Sequence, residues 1–83
     1  MSAETRVAVI SMIITKEDSV EMLNQLMHQY SAYVIGRMGI PYRQRGINII
    51  SVVIDAPMDV INAFTGALGR LDGVSAKAAY APV

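Results

Sequence analysis

The chain has no cysteine and no tryptophan, and only one histidine, one phenylalanine and three prolines among 83 residues. Without cysteine neither a disulfide nor a thiolate metal site can form. A single imidazole, with no Asp or Glu at ligand spacing beside it, leaves no material for a tight metal site. Net charge is absent too, because seven basic residues balance seven acidic ones. Proteins that grip nucleic acid neutralise phosphates, so this balance argues against nucleic acid as a partner of the chain on its own. No apolar run approaches the roughly 20 residues that span a bilayer. The opening "MSAETRVAV" carries neither the charged region nor the apolar stretch of a secretory signal. A cytoplasmic protein without a membrane partner is expected.

What the chain has in plenty is aliphatic side chains. Hydrophobic residues make up 53% of it, in a length that suits one domain. A domain this small leaves roughly 40% of its unfolded-state surface exposed. Part of the apolar excess must lie open to water or be covered by another subunit, and a homo-oligomer, a dimer or tetramer, is the economical expectation.

"RVAVISMII", residues 6–14, is β-branched and nearly continuously apolar, the mark of a strand buried on both faces. In "TKEDSVE", Asp18 and Glu21 have the spacing of a capping box, with Thr15 as a second possible cap. Val20, Leu23, Met27 and Tyr30 then recur at helical spacing. Residues 32–39 return to extended character, and "IPYRQRG" reads as a loop from its Pro and Gly. A second two-sided apolar strand covers 47–55. Pro57 and Asp59 open a helix whose face comprises Val60, Ile61, Phe64, Ala67, Leu68 and Leu71, and Gly73 is placed as its left-handed stop. "VSAKAAY" closes as an alternating strand. The order β-α-β-β-α-β predicts an α+β, ferredoxin-like sandwich: a four-stranded antiparallel sheet with both helices on one face. Residues 1–5 are expected to be a disordered start and 6–81 a single domain. The first and third strands fall in the centre of such a sheet, and their second apolar face would form a larger exposed patch than monomers usually carry.

Chemistry-bearing residues are few. No Ser-His-Asp or Cys-His arrangement can be assembled, so catalysis is not expected. His28 sits on the flank of its helix, toward Glu21 and Asn24, as surface filler. Glu17, Asp18, Glu21, Asp55 and Asp59 crowd the helix starts, where capping explains them. Gly36, Gly39 and Gly46 do not make a phosphate loop. Methionine, at six residues, reads as gap-filling, with Met27 on a core stripe. No cofactor is implied.

One segment stands apart. Residues 37–46, "RMGIPYRQRG", hold three of the chain's arginines together with a proline, a tyrosine and two glycines. Arg37, Arg43 and Arg45 have two readings, a solvated hairpin tip and a binding loop. The guanidinium fork suits carboxylate or phosphate, Pro41 stiffens the loop, and Gly36, Gly39 and Gly46 allow close backbone approach. Arg37, Tyr42, Arg43 and Arg45 are therefore the candidate ligand-binding residues, for a small anionic ligand or for acidic groups of a partner protein. The same Arg37–Arg45 hairpin in a dimer would alternatively contact nucleic acid as a transcriptional regulator, although four tyrosines and one phenylalanine make no stacking platform.

"YVIGRMGIPYRQRGINIISVVIDAP", followed by "LGRLDGVSAKAAY", resembles the iron-only hydrogenase system regulator family, small stand-alone bacterial proteins with an ACT-like fold. The resemblance runs from "VAVISMII" to Tyr80, and the "GRMG-P-Y-R-RGI" core is specific to it. It implies a non-enzymatic regulatory domain and the ACT-like habit of pairing through sheets. The family is similar in fold to the sensing domain of the nickel-responsive repressor, whose histidine set and cysteine have no counterpart here. It is also similar to amino-acid-binding ACT domains, but where their glycine-containing turn would stand this chain has "ITKEDS".

Overall fold

The computed structural model describes residues 4–82. Nine-residue β1 (Arg6–Ile14) leads through a single 3₁₀ turn (Glu17–Ser19) into α1 (Val20–Gln29). After a second 3₁₀ turn, β2 (Val34–Tyr42) and β3 (Ile47–Ala56) form a hairpin. Helix α2 (Met58–Gly69) and strand β4 (Val74–Tyr80) complete the chain. The sheet order is β2-β3-β1-β4 with every neighbouring pair antiparallel, the ferredoxin-like arrangement. Of the expected disordered start, residues 1–3 lie outside the described residues. Among the described residues no helix is long and apolar enough to cross a membrane.

The core lies between the sheet and the helices. Ala8, Ile10, Met12 and Ile14 of β1 and Ile50, Val52, Ile54 and Ala56 of β3 point into it. Leu23 and Met27 from α1, with Ile61, Phe64 and Leu68 from α2, close over them. Each fully buried aliphatic or aromatic side chain contributes about 1.5–3 kcal/mol relative to exposure. Tyr30 and Phe64 join the two helices through rings 4.7 Å apart and tilted by 40°.

Three local expectations are corrected. The Asp18–Glu21 capping box does not form. An extra 3₁₀ turn moves the N-cap to Ser19, which caps nothing with its side chain; its hydroxyl instead donates to the Asp72 carbonyl at 2.5 Å. Helix α2 ends at Gly69, and Gly73 (φ 72°) shapes the turn into β4 instead. Its carbonyl accepts from the Thr15 amide at 2.7 Å and the Thr15 hydroxyl at 3.1 Å. Finally, β2 begins at Val34 and runs on to Tyr42, so the loop shrinks to Arg43–Gly46. Pro41 is tolerated there because β2 is an edge strand, one side of whose backbone has no partner.

Candidate functional site

Strand β2 positions most of the candidate residues, and a β-bulge decides which way they face. Val34 opposes Ile54, on the helix side of the sheet, and Gly36 opposes Val53, on the open side, with Ile35 inserted between them. In a regular strand that starts with Val34 inward, Gly36, Met38 and Ile40 would follow it to the helix side. The bulge inverts the pattern. Arg37, Gly39 and Pro41 oppose Val52, Ile50 and Asn48 on the helix side, while Met38, Ile40 and Tyr42 oppose Ser51, Ile49 and Ile47 on the open side.

The seven candidate residues therefore do not form one cluster. Arg37 stands beside α1. Arg43 and Arg45 occupy the 3₁₀ turn at the hairpin tip, which closes on Gly46 in the left-handed region (φ 65°). Tyr42 lies on the open face just before that turn. Five to six residues of strand, roughly 15–20 Å, separate Arg37 from the tip. Two separate grooves lie along this side of the hairpin. One, at the tip, is lined by Glu17, Pro41, Arg43, Gly46 and Asn48. The other, between α1 and β2, is a depression of about 400 Å³ lined by Asn24, Met27, His28, Ser31, Val34 and Arg37. Gly39 lies on β2 between Arg37 and the tip, and a methyl group there would meet only the Ile50 side chain, at 4.0 Å.

Among the described residues no carboxylate pairs with the arginines of the hairpin. Among the described residues the one ion pair joins Lys16 to Asp72 at 2.8 Å, on the far side of the β1–α1 turn. That contact holds the Asp72 carboxyl below its ordinary pKa and the Lys16 ammonium above its own, through the hydrogen bond first and the charge second. Arg6 lies over the Tyr80 ring, 4.6 Å from its centroid, and is engaged elsewhere. Among the described residues no three His, Asp or Glu side chains gather as a metal site.

Among the described residues no helix covers the opposite face of the sheet. Val9 (38%), Ile13 (46%), Met38 (58%), Ile40 (46%) and Tyr42 (43%) are exposed there. Ile49 and Val53 lie half-buried between them. Sequence reasoning anticipated this face from the two-sided strands. It overlooked the convergence of Asn24, His28 and Ser31 upon Arg37, for which the i, i+4 spacing of Asn24 and His28 was the available signal.

A family model described as "TM1266-like: Iron-only hydrogenase system regulator, putative" matches residues 6–78. Among solved structures, uncharacterized protein TM1266 from Thermotoga maritima is similar, with 29% identity and a TM-score of 0.89 over 93% of this chain and 98% of that one. A formyltetrahydrofolate deformylase from Pseudomonas putida KT2440 aligns at 16% identity and a TM-score of 0.64, over 92% of this chain and 29% of that one. At that identity the likeness is one of fold, an ACT-like domain. No curated protein matches the chain.

Proposed function

The chain belongs to the TM1266-like family of iron-only hydrogenase system regulators, and from that premise we propose a non-enzymatic regulatory module that works as a homo-oligomer and senses a small anion. The observation that carries the reading is the uncovered apolar face of the sheet. Four strands about 4.8 Å apart, with about eight paired residues each rising about 3.3 Å per residue, present roughly 500 Å² per copy. Two copies face to face then bury about 1,000 Å², the lower bound for a specific interface. Among the described residues the ionic ones that register places on this face are Asp55 and Lys77, of opposite sign, so a second copy meets little repulsion. Tyr42 marks the border of the face, and the Arg43–Arg45 turn follows it, so docked copies bring their cationic turns toward a common seam.

An anion bound near that seam, or in the α1–β2 groove, shifts assembly or a partner's affinity by as much as its binding differs between the two states. The nucleic-acid reading of the hairpin gains no support from the geometry, because Arg37 faces the helix side and Glu17 lines the groove beside Arg43.

Sedimentation of the wild type and of Ile13→Lys tests the assembly. The expected result is a wild-type mass above the 9.0 kDa protomer and a folded variant shifted toward it. A wild type that stays at the protomer mass at high concentration overturns the proposal.

A further inference from the structure

The depression between the second half of α1 and the start of β2 has the makings of a recognition site. Its floor is apolar: Met27 is buried and Val34 half-buried. Its rim is polar, with an amide from Asn24, an imidazole from His28, a hydroxyl from Ser31 and the Arg37 guanidinium. Among the described residues none of these four side chains hydrogen-bonds or ion-pairs with the protein. Three elements supply them, α1, the 3₁₀ turn after it and β2, so their convergence is a product of the fold. The volume, about 400 Å³, is in the range of small-molecule sites.

The bulge is the second observation. Its extra residue, Ile35, turns Arg37 from the open face to the groove. Bulges recur where a strand must re-aim a functional side chain. Had the strand been regular, the depression would have received Gly36 and Met38, and no charge.

We infer that this depression binds the anionic head of a small organic acid, with Arg37 engaging a carboxylate or phosphate and Asn24, His28 and Ser31 orienting it over the Met27–Val34 floor. The inference rests on the anion-sensing reading above and moves its site from the Arg43–Arg45 turn to Arg37. The neighbouring groove limits the ligand. Glu17 and Glu21 line the stretch that begins at Asn24 and His28, so a polyanion laid along α1 meets negative charge. A single charged head is accepted and a nucleic-acid strand is not.

Amide and imidazole NMR of the full chain, titrated with succinate and separately with inorganic phosphate, tests the assignment and separates the two head groups. The expected result for at least one probe is saturable shifts centred on Asn24, His28, Ser31 and Arg37. Arg37→Ala then weakens binding tenfold or more, as loss of a charge-assisted contact does. His28→Gln weakens it severalfold, and the Arg43→Ala, Arg45→Ala double variant leaves it unchanged. All the replaced side chains are exposed, and preserved spectral dispersion checks the fold. Shifts centred on residues 43–46 and lost in the double variant overturn the inference while leaving anion sensing intact. No saturable shift with either probe overturns both.

Discussion

Replacing Gly73 by alanine combines two penalties, of which the same change at Gly46 carries one and at Gly36 neither. At φ 72° an L side chain is strained, by about 1–2 kcal/mol. The added Cβ would also lie 2.6 Å from Lys16 Cγ, 2.8 Å from Lys16 Cβ and 3.0 Å from the Lys16 backbone nitrogen. The lysine stem can swing aside, but the backbone nitrogen is held in place by the Thr15 hydrogen bonds to the Gly73 carbonyl. Gly46 shares the left-handed backbone (φ 65°) with nothing within 4 Å of its built Cβ, and Gly36 has neither strain nor contact. Gly36→Ala is therefore expected to be neutral or slightly stabilising, since glycine in a strand is less favourable than alanine by about 0.5–1 kcal/mol. Gly46→Ala should cost about 1 kcal/mol, and Gly73→Ala about 2–3 kcal/mol once the crowding is added. In a domain of this size each kcal/mol moves the melting temperature by about 4–8 °C. The three variants should thus melt in the order 36, 46, 73, with the last some 10–20 °C below wild type, about what 2–3 kcal/mol implies. Urea melts followed by circular dichroism at one fixed protein concentration read the free energies, the concentration being held because assembly shifts stability. A Gly73→Ala protein no less stable than Gly46→Ala would refute the crowding argument, and a Gly36→Ala protein as damaged as either would refute the whole scheme.

Two further outcomes concern the same corner of the fold. Ser19→Ala removes the donor to the Asp72 carbonyl and should cost about 1 kcal/mol in the same urea assay; an unchanged midpoint would show that the bond contributes nothing. The Lys16–Asp72 pair fixes the sign of a pH effect. Its Asp72 contribution is full above the ordinary carboxyl value of 3.8 and is lost as pH falls through the lowered folded value. Its Lys16 contribution is full below 10.5 and is lost as pH rises through the raised one. Both groups are exposed, so the effect is small and screened by salt. Asp72→Asn should flatten the acid limb of the stability profile slightly at low ionic strength, and a steeper acid limb in the variant would reverse the assignment.

Much of the fold was legible because it rests on short-range signals. The continuous apolar runs at 6–14 and 47–55 named the central strands, and the stripe through Leu23, Met27 and Tyr30 named the inner face of α1. Pro57 stands where α2 begins, and its carbonyl accepts from the Val60 and Ile61 amides. The misplacements occurred where a distant residue intervened. Ser19 resembles a helix cap but bonds to Asp72, 53 residues away, so no local rule could place the helix start. Pro41 resembles a loop residue until its strand is known to lie at an edge. The candidate site divided in the same way. Its residue types, arginine above all, were visible in a ten-residue window, while their grouping was not.

By itself the sequence settled the element order, the two helical stripes and the central place of the two-sided strands, because helix and strand periods are written residue by residue. The tertiary structure alone decided which side of the sheet each residue of β2 faces. In a strand of period two, one inserted residue at Ile35 exchanges the faces of all that follow, and only the pairing of Val34 and Gly36 with Ile54 and Val53 reveals that insertion. Arg37 consequently stands beside His28 and the arginines of the turn do not.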